Sequence, residues 1–405
     1  MNALMTLRKG PGSGLKTLIL VSLLSLTACL ASPQRAANTP LEAAFSDALE
    51  RFQSEYDFPG ITASYVLPDG SSHSAAAGWA DAELREPMTP ESRMLAASIG
   101  KTFVAATMVS VAQERDMDLD ATVSTWLGRN SWFRRLPNHQ SLTVRQLLNH
   151  TSGLPNHVYL PAFAEAVSQR WPEPGNSFTP ETLVGFVLDA EALFPAGEQW
   201  AYTDTGYILI GLAIEAITGR TYYQEVNDRF LEPLELTATA ASNKRWLPGL
   251  AAGYVTADNP FGFPAKTTDK NGVMVWNPAL EWTGGGLIST SRDLAQWGAA
   301  LFGGQGVSEE ILNTMLQSVP IGEDMPGTYY GLGVAISRSG PLSPVFGHGG
   351  WIPGYSSSLR HYVRSGITIA FQINSDRISH QHLSDIELCL AAVVISGGKE
   401  TDCVP

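Results

Sequence analysis

The chain has 405 residues, of which 44% are hydrophobic and 16% are charged, and its formal net charge is −13. This length exceeds the size at which one hydrophobic core usually stops growing, so we expect one large two-lobed unit or two domains. The negative charge disfavours nucleic acid as a partner, because a phosphate backbone would be repelled. Three cysteines are too few for a disulfide scaffold.

The first 28 residues have the composition of an export signal. Three basic residues, Arg8, Lys9 and Lys16, precede an apolar run from Leu18 to Leu26 that is too short to span a bilayer as a mature helix. The run continues directly into Thr27-Ala28-Cys29. Small residues before a cysteine at this place resemble the bacterial lipoprotein box, in which the cysteine thiol is diacylated and becomes the new N-terminus.

This resemblance implies a signal peptide over residues 1–28, a lipidated Cys29 and a short tether over residues 29–40. Two alternatives stay open, an ordinary secretory signal cleaved near Ala31 and an uncleaved anchor helix. Leu30 stands where an Asp commonly signals retention in the inner membrane. We therefore expect an exported lipoprotein of the cell envelope that faces the periplasm, on the outer membrane rather than the inner one.

The N-terminal part of the exported chain predicts a helix, a hairpin and a core helix. Apolar residues recur at helical spacing from Leu41 to Tyr56. Ile61–Val66 and Ser72–Ala77 flank the turn signature Pro68-Asp69-Gly70 and are predicted as two strands. From Ser98 to Gln113 the chain is apolar on nearly every face, which predicts a helix buried on all sides.

The rest of the chain changes from helices to strands. Residues 143–218 are mostly helical in pattern with prolines between the helices, and Thr290-Ser291-Arg292-Asp293 predicts a capping box that opens a helix from Leu294 to Phe302. Three strands and a closing helix are then predicted, namely Tyr330–Ile336, Ser356–Val363, Gly366–Ile373 and Ser384–Ile395. Strands at both ends predict a sheet assembled from the two termini, with a mostly helical lobe inserted at about residues 116–240 of a single domain, 41–405.

Several common catalytic motifs are missing from the sequence. Gly100-Lys101-Thr102 resembles the end of a phosphate loop, but Leu95 stands where the first glycine of that loop would fall. No serine has the GxSxG context of an α/β-hydrolase, and no HExxH is present. The eight histidines are mostly isolated, and His380 and His382 are interpreted as solvated residues at a helix start, so we expect no metal or other cofactor.

Ser98 and Lys101 form an SxxK motif at the start of the predicted buried helix. Residues three apart on a helix lie on the same face, so the amine would lie beside the hydroxyl. A lysine in an apolar wall loses hydration, and a neutral amine would then accept the serine proton. The helix N-terminus would add a free N–H group for an oxyanion.

Four further motifs accompany the SxxK motif: Tyr202-Thr203-Asp204, Gly347-His348-Gly349-Gly350-Trp351, LLNHTSGLP at residues 147–155 and WTGGGL at residues 282–287. In this order and at these distances they resemble the motifs of the serine β-lactamase-related family. That family comprises class C β-lactamases, low-molecular-mass penicillin-binding proteins, D-aminopeptidases and esterases of the same fold. The resemblance covers about Leu41 to Asn374. It implies an α/β fold of the β-lactamase/transpeptidase type, with a mostly antiparallel sheet flanked by helices.

The resemblance also implies the catalytic roles. Ser98 would be the nucleophile that is acylated and then hydrolysed. Lys101 and Tyr202 would share the proton transfers, with Tyr202 the better candidate to relay a proton to the leaving group and to activate water. The family does not settle which of the two is the primary base, and coupled groups need not have a single answer. The backbone N–H groups of Ser98 and Trp351 would form the oxyanion hole.

Other motif residues would bind substrate or hold the fold. His348 would be the polar group of the third motif beside the pocket, and Gly349 and Gly350 would let an edge strand approach the substrate. His150 and Ser152 are interpreted as parts of a structural turn, and Trp282 as a packing residue. Two stretches are expected to line the pocket as loops, residues 156–176 with Tyr159, Phe163 and Trp171, and residues 261–276.

Two positions depart from the β-lactamase pattern. His348 stands where those enzymes carry a Lys that helps to recognise a carboxylate, and Asp204 stands where they carry an Asn. An ionised Asp204 cannot donate a hydrogen bond to a substrate carbonyl, and its charge would favour a protonated Lys101. We therefore expect an esterase or a peptidase or amidase with weak or no β-lactamase activity. Its substrate would be an ester, or an amide with a positive amine that Asp204 could bind.

Two other functions stay open. One is D-alanyl-D-alanine carboxypeptidase, endopeptidase or β-lactamase activity. The other is a non-catalytic envelope protein that binds penicillin or peptidoglycan. The expected partners are a small-molecule or peptide substrate and a membrane reached through the lipid anchor. Cys389 and Cys403 form a possible disulfide that spacing alone does not decide.

Overall fold

Two β-sheets occur in the residues that the computed structural model describes, 38–170 and 177–399. A nine-stranded antiparallel sheet has the order β3-β2-β1-β12-β11-β10-β9-β8-β7, and a small sheet has the order β4-β6-β5. The strands are β1 Gly60–Val66, β2 Ser72–Asp81, β3 Glu86–Pro87, β4 Met94–Leu95, β5 Ala240–Ala241, β6 Leu287–Ser289, β7 Val319–Pro320, β8 Thr328–Tyr330, β9 Ala335–Ser337, β10 Val345–Ile352, β11 Tyr355–Tyr362 and β12 Ile367–Ile373.

The centre of the large sheet joins the two ends of the chain. β1 pairs antiparallel with β12, with Ile61 opposite Ile373 and Val66 opposite Thr368. β2 lies on the other side of β1, and β11 lies on the other side of β12. The expected sheet assembled from both termini is therefore confirmed.

Helices cover both faces of this sheet. The α-helices in the described residues are α1 Pro40–Glu55, α2 Gly100–Glu114, α3 Ser124–Leu127, α4 Val144–Leu148, α5 Pro161–Arg170, α6 Pro180–Gly185, α7 Asp204–Thr218, α8 Tyr222–Val226, α9 Ser291–Phe302, α10 Glu309–Met315 and α11 His380–Ile395.

Alternating side chains of the central strands face two separate cores. Phe371 of β12 belongs to a core with Phe45 of α1 and Leu390 of α11. Ala370, its neighbour in sequence, belongs to a larger core that contains residues of α2, α7 and α9. Because helices cover both faces, β1 and β12 are buried along their whole length and consist mainly of apolar residues.

α2 is the buried helix that the apolar pattern predicts. Every residue from Gly100 to Ala112 is buried. The helix begins two residues later than expected, because Ser98 lies in a 3₁₀ turn, Ala97–Ile99, that precedes it. α2 packs against α7 and α10, so the core of the molecule fixes the position of its first turn.

The mostly helical lobe also forms as expected. Helices α3 to α8 lie between α2 and β5, and this part of the described chain contains no named strand. α4 and α6 pack against α7, which packs in turn against α2. Within Asn38–Pro405, the described residues form one compact unit.

The proposed signal peptide, Cys29 and almost all of the tether fall outside the described residues, and so do Trp171 and Cys403. Cys389 is a disulfide-bonded cysteine, and its pairing with Cys403 stays a prediction. Within residues 38–170 and 177–399, no helix is both long enough and apolar enough to cross a membrane.

Two local predictions are wrong in detail. The predicted strand Tyr330–Ile336 is interrupted, because Gly333 has a φ of +73° and the Gly331 N–H bonds to Val334 O at 2.8 Å, which makes a turn between β8 and β9. Only half of the predicted capping box forms. The Thr290 side chain accepts a hydrogen bond from the Asp293 N–H at 3.2 Å. The Asp293 carboxylate instead accepts from Ala238 N and Thr239 Oγ1, both at 2.9 Å, and does not bond to the Thr290 N–H.

Candidate active site

Ser98 lies in a strained turn at the beginning of α2. The preceding residue, Ala97, has a φ of +49°, a left-handed conformation that costs a residue with a Cβ roughly 1–2 kcal/mol. Strain of this kind persists where the surrounding structure holds it in place. Here the support is Gly285, where a Cβ would lie 2.2 Å from Ala97 O, so the two backbones are in direct contact.

Lys101 lies one turn further along and is fully buried. Its Nζ donates to Ser98 Oγ at 3.1 Å, to Asp204 Oδ1 at 2.5 Å and to Gly284 O. These three acceptors match the three N–H donors of an ammonium group, whereas a neutral amine would leave one acceptor without a donor. The apolar wall expected around Lys101 therefore contains a carboxylate and a carbonyl that hold the amine in place.

Tyr202 is the second side chain on the nucleophile. Its Oη donates to Ser98 Oγ at 2.9 Å, and its ring packs 4.2 Å from the ring of His150. Burial raises the pKa of Tyr202 well above its usual value, and the Asp204 carboxylate adds to the rise. Tyr202 is therefore a neutral phenol at physiological pH, and it shares Ser98 Oγ with Lys101, as the family resemblance implies.

Asp204 is the first residue of α7 and is already bonded on both oxygens. Oδ1 accepts from Lys101, and Oδ2 accepts from Asn156 Nδ2 at 3.1 Å. Burial opposes ionisation of this carboxyl, but the charge of Lys101 and the hydrogen bonds from Lys101 and Asn156 together outweigh it and hold the pKa of Asp204 below its usual value. The influence of Asp204 on Lys101 that the sequence predicts is therefore exerted through a direct ion pair. The expected bond from Asp204 to a substrate amine would have to compete with it.

His348 is buried beside the same cluster. Its Nε2 lies 2.8 Å from Tyr330 Oη, and its Nδ1 lies 2.5 Å from Gly349 O. Burial lowers the pKa of His348 to about 3, and the positive charge of Lys101 contributes to the fall. The imidazole is therefore neutral near pH 7. It carries no charge for a carboxylate, in contrast to the Lys of the β-lactamase pattern at this position.

The third motif lies on the partly open edge of β10. Val345, Phe346 and Gly347 pair with β9, whereas His348 to Ile352 pair with β11 alone. Alternate N–H groups of an antiparallel strand face away from its partner, so this half presents free donors. The edge lies close to the nucleophile, since a Cβ at Gly350 would be 2.5 Å from Ala96 O.

The two motif glycines are not equivalent. A Cβ at Gly350 would strike Ser357 Oγ at 2.2 Å, whereas a Cβ at Gly349 would meet nothing closer than Ser357 O at 3.8 Å. Packing within the protein therefore requires a glycine at Gly350 and not at Gly349, while the approach of both glycines to the substrate stays a prediction. The indole of Trp351 is 48% exposed and lines the cavity together with both glycines.

A cavity of about 880 Å³ opens over Ser98. Both predicted stretches line it, through Tyr159 and Phe163 of the first and through Phe261, Phe263 and Trp276 of the second. The first stretch is not a loop throughout, because Phe163 lies in α5. Aromatic side chains of both stretches thus form part of the cavity wall. No group of three or more His, Cys, Asp or Glu side chains within 38–170 and 177–399 is arranged to hold a metal ion.

Comparison with known proteins agrees with this geometry. The sequence model of the Beta-lactamase family matches residues 45–392. The chain belongs to the beta-lactamase family. Penicillin-binding protein 4* of Bacillus subtilis is 25% identical over 74% of the chain, and the match spans 64% of that protein.

Two solved structures are similar over most of their length. D-stereospecific amidohydrolase from Streptomyces sp. has a TM-score of 0.72 and 30% identity, over 86% of this chain and 98% of the other. D-amino acid amidase from Ochrobactrum anthropi SV3, complexed with L-phenylalanine amide, has a TM-score of 0.73 and 25% identity, over 89% of this chain and 99% of the other. The β-lactamase/transpeptidase-like fold expected from the motifs is therefore confirmed.

The remaining motif residues of this beta-lactamase family member support the site from behind. His150 is completely buried in a turn with a φ of +63°, and its Nδ1 accepts from Thr203 N at 3.2 Å. Ser152 Oγ accepts from Leu154 N at 3.3 Å within the same turn. A Cβ at Gly211 would lie 2.7 Å from the Trp282 ring. All three residues are structural, as interpreted from the sequence, and His150 also positions the ring of Tyr202.

Three contacts of the site were not predicted from the sequence. Asn156 donates a hydrogen bond to Oδ2 of Asp204, the oxygen that does not accept from Lys101. Tyr330 forms a hydrogen bond with His348. Glu281 places a carboxyl in the cavity wall, and its Oε2 is buried without a hydrogen-bond partner among the described residues. A signal for Glu281 existed, because this residue immediately precedes the WTGGGL motif.

Proposed function

We propose that this protein is a serine hydrolase that forms an acyl-enzyme on Ser98, and that it is of the amidase or esterase type. The observation that carries the proposal is the position of Ser98 Oγ, which accepts from Lys101 Nζ at 3.1 Å and from Tyr202 Oη at 2.9 Å at the floor of the cavity. A hydroxyl held by two proton-carrying groups beside free N–H donors is the arrangement that acyl transfer needs.

In the proposed acylation step, Ser98 Oγ attacks the substrate carbonyl and passes its proton to Tyr202 Oη. Tyr202 gives its own proton to the leaving nitrogen or oxygen, so the phenol is neutral before and after the step. In deacylation a water molecule attacks the ester and loses a proton to Tyr202, which returns its proton to Ser98 Oγ. Lys101 stays bonded and stabilises the negative charge that develops on Ser98 Oγ. The N–H groups of Ser98 and Trp351 would receive the oxyanion.

The charges of the site favour a substrate without a carboxylate next to the cleaved bond. Arg360 is the only Lys or Arg among the described residues that line the cavity. Its guanidinium is 3.0 Å from Glu387, so it is already paired. Since His348 is neutral as well, no unpaired Lys or Arg among the described lining residues is available for the carboxylate of a β-lactam or of a D-alanine terminus. This supports the expectation of weak β-lactamase activity.

The acyl group is proposed to be an amino acid with an apolar side chain. Aromatic side chains cover one wall of the cavity, with the ring of Phe263 stacked 5.2 Å from that of Trp276. The names of two similar structures, a D-stereospecific amidohydrolase and a D-amino acid amidase, support amides of D-amino acids as the first substrates to test.

A substrate panel tests this function. We expect the purified protein to hydrolyse D-phenylalanine amide and short p-nitrophenyl esters faster than a cephalosporin reporter or a wall pentapeptide. The Asp204→Asn variant should shift the relative rates toward the cephalosporin and the pentapeptide, because an Asn can donate to a substrate carbonyl.

Three outcomes of the panel would contradict the proposal. Faster turnover of the cephalosporin than of the esters would indicate a β-lactamase. Release of D-alanine as the fastest reaction would indicate a carboxypeptidase. Labelling by penicillin without turnover of any substrate would indicate a non-catalytic binding protein.

We further propose that the protein is a lipoprotein anchored through Cys29. The basic residues, the apolar run and the Thr27-Ala28-Cys29 sequence support this proposal. In a bacterial host, metabolic labelling with a palmitate analogue should mark the wild type and not the Cys29→Ala variant, and the wild type should fractionate with the outer membrane. Equal labelling of both proteins would contradict lipidation at Cys29.

A further inference from the structure

Glu281 places a carboxyl group beside the nucleophile. The surroundings of Gly285 show where this carboxyl group lies. A Cβ added at Gly285 would lie 2.2 Å from Ala97 O and 2.7 Å from Glu281 Oε1. The Glu281 carboxyl group and the backbone of the residue that precedes Ser98 therefore both lie next to Gly285. Glu281 and Asp204 also flank Gly284, where a Cβ would lie 3.7 Å from Glu281 Cγ and 3.5 Å from Asp204 Oδ1.

Unlike the other acids of the cavity, Glu281 has no counter-charge bonded to it. Asp204 is paired with Lys101, and Glu387 is paired with Arg360. Glu281 forms no ion pair with any residue in 38–170 or 177–399, and its Oε2 is buried without a partner in the same part of the chain. A buried carboxyl without a partner costs free energy, so it is a site that a ligand group would complete.

We propose that Glu281 binds the ammonium group of the substrate, so that the enzyme selects amides and esters of amino acids with a free α-amino group. This inference rests on the proposed function and identifies Glu281 as the residue that recognises the ammonium group of the substrate. In such a substrate a single carbon atom separates the amine from the carbonyl that Ser98 attacks. A partner for the amine must therefore lie beside the nucleophile, as Glu281 does.

The surroundings of Glu281 suit a cation that arrives with the substrate. Burial raises the pKa of Glu281 to about 8; Lys101 opposes the rise and Asp204 adds to it. The other titratable groups near it are the phenols of Tyr202 and Tyr223, whose own pKa values the Glu281 charge raises. Near pH 6.5, about 1.5 units below that value, the empty site is mostly protonated, and a bound ammonium would favour the carboxylate. Binding of the amine should then release a proton.

The test measures binding in the full-length Ser98→Ala protein, so it does not depend on turnover. Isothermal titration calorimetry would compare D-phenylalanine amide with N-acetyl-D-phenylalanine amide, which lacks the charge. We expect the free amine to bind at least about tenfold more tightly, the affinity that one charge-assisted hydrogen bond contributes. Adding Glu281→Gln should reduce this preference to about twofold or less.

The matched control is Glu387→Gln in the same Ser98→Ala background, because Glu387 is a glutamate of the same cavity whose carboxyl group is already paired with Arg360. It should keep the preference for the amine. Titrations near pH 6.5 in two buffers of different ionisation enthalpy should show proton release in the Ser98→Ala protein and not after Glu281→Gln, a difference that a purely structural role would not produce.

Three results would overturn the inference: an unchanged preference after Glu281→Gln, an equal loss of preference after Glu387→Gln, or no binding of the amine ligand. Failure of the proposed function looks different. In that case the wild type hydrolyses no amide or ester, whether or not the Ser98→Ala protein prefers the amine.

Discussion

The Ser98→Ala variant is expected to lose at least about 10⁴-fold of wild-type turnover and to form no adduct with a fluorophosphonate probe. The reason is geometric, because Ser98 Oγ is the atom on which Lys101 and Tyr202 converge. Intact mass spectrometry after probe treatment would show one added group on the wild type and none on the variant.

Ser357→Ala is the matched control for this result. Ser357 also lines the cavity, but its Oγ donates to Ala96 O at 2.9 Å and meets neither Lys101 nor Tyr202. The control should keep the adduct. An unchanged adduct on Ser98→Ala would show that the probe reacts with a residue other than Ser98, and the acyl-enzyme proposal would then be wrong.

The second large effect is expected from Lys101→Met, which removes a buried charge and leaves its partner. Asp204 would remain as a buried carboxylate without a cation, and breaking such a pair costs about 3–5 kcal/mol of unfolding free energy. Turnover should fall as well, because Ser98 Oγ loses one of its two hydrogen-bond donors. Urea unfolding at neutral pH would measure the loss of stability.

The double variant Lys101→Met/Asp204→Asn separates the two effects. Without the unpaired charge, much of the lost stability should return, while turnover should stay low. If the double variant is no more stable than Lys101→Met alone, the destabilisation does not come from the charge of Asp204.

The pH dependence of this pair has a defined sign. Because the folded state holds the pKa of Asp204 below its usual value, the pair stabilises the fold above the unfolded pKa of about 3.9. That contribution is lost as the pH falls through the lower, folded value. The difference in stability between the wild type and Lys101→Met should therefore be largest near neutrality and shrink in acid.

The fold was largely predictable because its signals are local. The hairpin around Pro68-Asp69-Gly70 and the apolar helix after Ser98 each follow from a short stretch of residues, and the structure contains both. The prediction of one strand over residues 330–336 was wrong. It followed the alternating pattern and gave no weight to the two glycines within this segment. Gly333 adopts a positive φ that ends β8 and turns the chain into β9.

The site was predictable to the extent that motifs mark it. Helical spacing placed Lys101 beside Ser98, and the family resemblance added Tyr202. The weak β-lactamase activity expected from Asp204 and His348 stays a prediction. The sequence did not show that both carboxylate oxygens of Asp204 already accept hydrogen bonds, because the second donor, Asn156, comes from a loop 48 residues earlier. Glu281 was missed for a similar reason. Whether a carboxyl finds a partner depends on contacts between distant segments, which no local pattern records.

The pairing of β1 with β12 has a consequence for how the chain reaches its folded state. These two central strands come from opposite ends of the sequence, with Val66 opposite Thr368, so most of the chain must exist before the sheet can close. Long-range pairing of this kind carries a large loop-closure entropy and slows folding. A chain truncated before Ile367 would leave β1 with one unpaired edge, the feature that promotes aggregation in sheets. The slow closure of the sheet would also keep the chain unfolded during synthesis, which the proposed export requires.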